Sequence, residues 1–375
     1  MVLPPLLIAA WLVYDRSWAG PARISPAAVG AHQPAAPTPP GARPPGSPPA
    51  RPAPARPRLP AAAPLGPALA PPAATPSRSG PATPPPPAGS CPLFPADNVW
   101  HAPVDHLPVL PASASYVASI GAAAHLHPDF GSGLIDGTPF GIPVTEVAAG
   151  QGGFRVRFDY ADESDPGPYP LGPGVRVEGG PSGDGDRHVI LHDTANCRLY
   201  ELFAAQRGAD GSWTAQSGAI WNLKSNALRP AGWTSADAAG LPIMAGLVRY
   251  EEVAAGRIDH PIRITVPRSA NSYLWPARHA AGSGGAGLPP MGLRLRLKAS
   301  VNVAGLPAQA RVIATAMKTY GVIVADNGSP WYITGTEDSR WDNDALDALK
   351  GLAGSQFEAV DTAGLMVSPN SAAAR

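Results

Sequence analysis

Four carboxylates fall within seven residues, Asp159-Tyr160-Ala161-Asp162-Glu163-Ser164-Asp165, and a second acidic loop, Asp184-Gly185-Asp186-Arg187-His188, follows. Two carboxyls flanking a groove can cleave a glycosidic bond, one donating a proton while the other attacks directly or activates water. The candidates for these roles are Asp162, Glu163, Asp186 and Glu201. Acids clustered on loops also offer hard oxygen ligands, so calcium is a weaker alternative, although the spacing completes no EF-hand loop. A third reading is loop acids that are simply solvated. His188 adjoins Asp186 and reads as an oriented base. His192 shares its strand face, but four residues of extended chain put the two rings about 13 Å apart, too far to bind one metal ion by themselves.

Seven tryptophans occupy residues 91–375. Most should fill a core. Trp331, Tyr332 and Trp341, beside the turn formers Asn327-Gly328 and Asp342-Asn343, are expected at the surface, where flat aromatic faces stack on sugar rings. Polar groups beside turns also occur at Asp129, at Arg278-His279 and at Asp326. Each has a structural explanation, Asp129 and Asp326 as turn formers and Arg278 as the partner of an acid. No nucleophile elbow, P-loop, dinucleotide fingerprint or zinc-protease motif is present.

The elements that must position these groups read mainly as strands. Phe154, Val156, Phe158 and Tyr160 alternate with polar residues, as do Ile262, Ile264 and Val266, and Leu293, Leu295 and Leu297. Such a period of two marks strands with one apolar face and one face toward solvent or a groove. Four helices are expected: one opened by Thr234-Ser235-Ala236-Asp237 as a capping box, one over Leu247 to Ala255, one over Pro307 to Tyr320, and a last over Asp344 to Leu352. The fold class is mainly β, a β-sandwich or jelly-roll-like domain with a few short helices.

This body is the third part of the chain. Residues 1–19 read as a signal peptide or signal anchor, with an apolar run over Val2 to Tyr14 that is too short to span a bilayer and small residues at Ser17 and Ala19. Residues 20–90 read as a disordered proline-rich spacer, since 24 prolines, six arginines and no acid lie between 21 and 90. Proline fixes φ and removes a backbone donor, so such a segment sustains neither helix nor sheet. The body, 91–366, is expected as a single β-rich domain, followed by a flexible tail at 367–375. Residues 91–375 hold 21 basic and 27 acidic side chains, a balance that excludes the basic footprint of a nucleic-acid binder. The two cysteines, Cys91 and Cys197, are expected to form a disulfide in an exported chain, closing a loop of roughly 100 residues worth about 4.7 kcal/mol in the chain-entropy model.

The segments Asn226 to Asp237, Pro289-Pro290-Met291-Gly292-Leu293-Arg294 and Lys318 to Gly328 resemble an uncharacterised family of bacterial exported proteins. The resemblance covers about 91–366 and implies no activity and no site residues. The residue chemistry alone favours an extracytoplasmic, secreted or cell-surface protein with a polysaccharide-directed role, and a carboxylate-dependent glycan-cleaving enzyme is one form of it. The alternative is a non-catalytic carbohydrate-binding or envelope structural module on a proline-rich stalk. The expected partner is a polysaccharide or cell-wall polymer. Nucleic acid is not expected, and a membrane is met only through the N-terminal segment if that segment stays uncleaved.

Overall fold

The computed structural model describes residues 91–375 apart from Asp136, Ser182 and Ser283, so the leader and spacer lie outside the described residues. Strands outweigh helices, and the helices are short.

A six-stranded sheet runs in the order His127–Pro128, Tyr332–Ile333, Ile262–Val266, Val322–Asn327, Arg294–Leu297, Phe357–Ala359. Its two central strands, Ile262–Val266 and Val322–Asn327, are parallel, and both are almost wholly buried. Parallel neighbours need a long return connection. The last part of it is the helix Ala308–Thr319, which buries Ala310, Ile313, Ala314 and Met317 at the three- and four-residue spacing of one helix face. Each fully buried Ile, Val or Leu contributes roughly 1.5–3 kcal/mol relative to an exposed one, which is why these strands anchor the domain.

A second sheet has the order Ser217–Asn222, Arg198–Phe203, Val189–Asp193, Val144–Glu146. Side chains alternate across it. Ile190, Leu199, Ala219 and Trp221 join the core of the six-stranded sheet, whereas Val189, Leu191 and Leu202 pack with Tyr169 and Trp213 in a second core. That second core is completed by a small sheet of Val156–Phe158, Trp213–Ala215 and Gln206–Arg207. Pairing is mixed, with parallel neighbours also at Val144–Glu146 and Val189–Asp193.

Three local expectations are corrected. The segment Thr234 to Asp237 is not a helix, because Asp237 Oδ1 accepts the backbone N–H groups of Ala239 and Leu241 at 3.0 Å each and holds a buried turn instead. The helix expected over Leu247 to Ala255 spans only Tyr250–Ala254, since Val248 is drawn into bridge pairing with Gly335. The tail 367–375 is stitched to the body: Val99 N–H donates to Ala372 O at 2.8 Å, Ala372 N–H donates to Asn226 O at 2.7 Å, and Ala373 pairs with Asn98. The expected helix over Asp344 to Leu352 forms as Asn343–Asp347, capped by the Asp342 carboxylate, and continues as a tighter 3₁₀ turn.

Candidate functional site: the polar face of the six-stranded sheet

Register assembles the site. Pro128, Ile333 and Ile264 align across three neighbouring strands and are buried, so the residues beside them point to the opposite face. Those residues are His127 and Asp129, Tyr332 and Thr334, Arg263 and Thr265. A register shift between Ile264 and Thr265 sets Asp326 opposite Thr265 and brings it onto the same face. One face of the sheet therefore carries an aromatic pair, an arginine and two carboxyls.

The aromatic pair is His127 and Tyr332, stacked with ring centroids 4.1 Å apart and nearly parallel. They line an open recess of about 560 Å³ with His125, Ser329, Pro330 and Lys350. Burial and the Lys350 charge push the His127 imidazole down to about 4, so it is neutral near pH 7 and offers a flat apolar face.

Beyond the stack, the charges interlock. Arg263 is buried and donates from Nη1 to Thr334 Oγ1 at 3.2 Å, while its Nη2 lies 3.5 Å from Asp237 Oδ2. Asp326 Oδ2 accepts the Ala238 N–H at 3.3 Å. Burial pushes the Asp326 carboxyl up to about 6; Arg263 opposes the rise, and the charges of Asp237 and Asp186 add to it. Burial likewise pushes Asp129 up to about 6, reinforced by Glu178 and Asp186. Asp129 is exposed and Asp326 half-buried. Three strand spacings, about 14 Å, separate their strands, so the two do not act on one bond.

The sequence-derived candidates are divided by this geometry. Asp186 is exposed on the loop before Val189–Asp193, and its charge is felt by Asp129, His188 and Asp326. His188 is buried, but its partner is Glu178: Nδ1 donates to Glu178 Oε2 at 2.6 Å. Burial alone would lower its pKa; the Glu178 charge and hydrogen bond override that and raise it to about 9. His188 is thus a held cation that can donate from Nε2. The expectation of a base oriented by Asp186 is corrected.

Glu201 lies in the core, away from that face. It is wholly buried on the inner face of the four-stranded sheet and accepts Trp221 Nε1–H at 3.1 Å, Ile243 N–H at 3.0 Å and Met244 N–H at 2.9 Å. Burial pushes its carboxyl up, and these donors offset the cost of placing it there. Asp162 is exposed, and among the described residues no hydrogen bond or ion pair ties it to the cleft. Glu163, next to it, is half-buried; its Oε2 accepts Thr234 N–H at 3.0 Å and lies 3.9 Å from His279 Nε2.

Of the three aromatics expected at the surface, Tyr332 alone lines the recess. Trp331 is fully buried, stacked on Phe357 at 4.9 Å and donating to Gly121 O at 2.8 Å. Trp341 is buried against Phe130 and Tyr250 and donates to Thr336 O at 2.8 Å. Both indoles found carbonyl partners in the core, which removes the reason for a Trp to stay at the surface. Among the described residues no group of three or more His, Cys, Asp or Glu is arranged to hold a metal ion.

His127, Asp129, Arg263, Asp326 and Tyr332 are the side chains that strand register turns to one face. Asp129 and Asp326 read from the sequence as turn formers, and the alternation of Arg263 with Ile262 and Ile264 was the one signal that it faces a groove. Compared with known proteins, the chain matches no family model, no curated protein and no solved structure.

Proposed function

We propose that the protein is an exported enzyme that cleaves a polysaccharide by carboxyl chemistry in this cleft. The observation that carries the reading is Asp326: a carboxyl raised to about 6 on a solvent-reached wall, on the same sheet face as the stacked His127–Tyr332 pair. A carboxyl held near neutrality can stay protonated long enough to protonate a leaving glycosidic oxygen. The aromatic stack supplies a platform for a sugar ring. Asp186, an exposed carboxylate whose charge reaches Asp129 and Asp326, is the second acid of this proposal. A sandwich-like stacking of the four-stranded on the six-stranded sheet, which their shared core favours, belongs to the same proposal. The extracytoplasmic setting does too, supported by the Cys91–Cys197 cross-link.

Incubation with neutral, amino-sugar and acidic polysaccharides, read by release of reducing ends, tests this. Wild type is expected to release ends from at least one polymer, and Asp326→Asn to lower kcat on the order of 10²–10⁴-fold without loss of folding. Activity should fall as pH rises above about 6, where Asp326 loses its proton. Tight binding of a glycan with no cleavage by wild type would instead favour the binding-module reading.

A further inference from the structure

The recess beside the His127–Tyr332 stack is built from three separate pieces of chain. His125 and His127 come from the edge strand His127–Pro128 and the residues before it, Ser329 and Tyr332 from the chain after Val322–Asn327, and Lys350 from the 3₁₀ turn Ala348–Gly351. Backbone pairs on two sides hold its floor: Leu126 N–H donates to Leu352 O at 2.8 Å, and His127 N–H to Trp331 O at 3.0 Å. Trp331 sits at φ 59°, a left-handed conformation that a bulky residue rarely adopts. The indole is thereby sent into the core while the next residue, Tyr332, lines the recess. Strain of this kind gathers at ligand sites, where the surroundings over-determine it. The recess holds about 560 Å³, within the roughly 300–1,000 Å³ of small-molecule sites, and its walls are chemically one-sided. None of the described residues lining it is acidic, and Lys350 is the one lysine or arginine among them. His127 feels the Lys350 charge, so the ammonium lies close to the stack. One acid competes from outside the wall: Asp347 Oδ1 accepts from Lys350 Nζ at 2.7 Å, the two side chains being 62% and 39% exposed. An ion pair so exposed contributes little, and an ammonium has three donors, so a second carboxylate can join it.

We propose that this recess is a subsite for an acidic sugar: a hexuronic acid residue of a polymer, its ring stacked on His127 and Tyr332 and its carboxylate held by Lys350. The inference rests on the reading of the stack as a sugar platform, and it narrows the substrate class to acidic polysaccharides. The His127 ring is neutral near pH 7, so the stack offers a flat apolar surface and does not itself select for charge. Selection falls to Lys350. Its flexible four-carbon stem lets the ammonium follow a carboxylate at the edge of the stacked ring. A neutral sugar fills the same space and leaves that ammonium with Asp347 alone. Because the recess is open, the neighbouring residues of a bound chain stay in solvent, which a polymer requires and a free monosaccharide does not.

Calorimetric binding to the full chain of short oligomers of galacturonic, glucuronic and mannuronic acid, each beside its methyl ester, tests this. The ester keeps the rings and removes the charge. At least one acid oligomer should bind about tenfold tighter than its ester at low salt, and the preference should shrink as salt screens the exposed ammonium. The His127 ring signals in NMR should shift on binding. Lys350→Gln should bring acid and ester within about threefold of each other, with the ester affinity and the melting temperature at their wild-type values. Asp347→Asn should strengthen binding of the acid alone, since it removes the competing carboxylate. No preference for acid over ester in any pair, a preference that survives Lys350→Gln, or binding that leaves the His127 signals unmoved would each overturn the subsite. None of these measurements needs turnover. If wild type binds the acid oligomers here but cleaves no polymer, the glycan-cleaving reading fails and the subsite stands; if it cleaves neutral polymers alone, the subsite fails and the cleaving reading stands.

Discussion

At the scale of single residues, the same side chain type serves opposite ends according to what surrounds it. Glu201 lies in the core with three donors; Glu178 is half-buried and is held ionised by His188. The Glu178–His188 pair makes a pH-dependent contribution whose sign is set by the raised histidine. A folded pKa of about 9 against an ordinary 6.5 stabilises the fold fully below pH 6.5 and loses that contribution as pH rises through 9. The raised carboxyls of Asp129, Asp237 and Asp326 act in a lower window, losing stability as pH rises from about 4 to about 6. Melting temperature should therefore decline by several degrees between pH 6.5 and 9, and His188→Gln should flatten that limb and leave the lower one intact. An unchanged slope in His188→Gln would show that the pair does not carry it.

At the scale of elements, the site depends on how closely the strand Tyr332–Ile333 and its continuation lie against the segment after His127–Pro128. Gly335 permits that approach: a Cβ there would meet the Phe130 ring at 2.6–2.7 Å. Phe130 follows Asp129 and packs on Trp341, so it has no room to retreat. Gly335→Ala should cost about 1–3 kcal/mol, the usual penalty of overpacking. It should also lower activity more than that loss of stability implies, because Thr334 and Asp129 move with their neighbours. Denaturant melts beside turnover measurements on the same preparation check this, and a variant with wild-type activity would show that the approach is not required.

At the scale of the whole molecule, the cross-link and the chain ends close the fold. Cys91 and Cys197 are joined with their Cα atoms 5.4 Å apart at a sequence separation of 106. The bridge ties the start of the body to the residue before Arg198–Phe203, the strand that carries Glu201. Reduction should destabilise the domain by about 2–5 kcal/mol, seen as a lower midpoint of urea unfolding with reductant than without. Equal midpoints would mean that the unfolded chain gains nothing from release of the loop.

Period-two alternation around Val156, Ile262 and Leu295, the helix before Val322 and the cysteine pairing were determined by the sequence, because each depends on local periodicity or on there being a single possible partner. That Tyr332 stays at the surface was legible for the same local reason, as an aromatic residue beside a turn. The rest was decided only by tertiary structure. Whether Trp331 is a surface platform or a core residue depends on Phe357 and the Gly121 carbonyl, which lie far from it in sequence. Whether His188 accepts or donates a proton depends on Glu178 rather than on the nearer Asp186. Asp129, Arg263 and Asp326 share a face because strand register, including a single shift after Ile264, turns them to it. Burial and charge coupling act through space, so pairings between distant strands decide which carboxyl holds its proton.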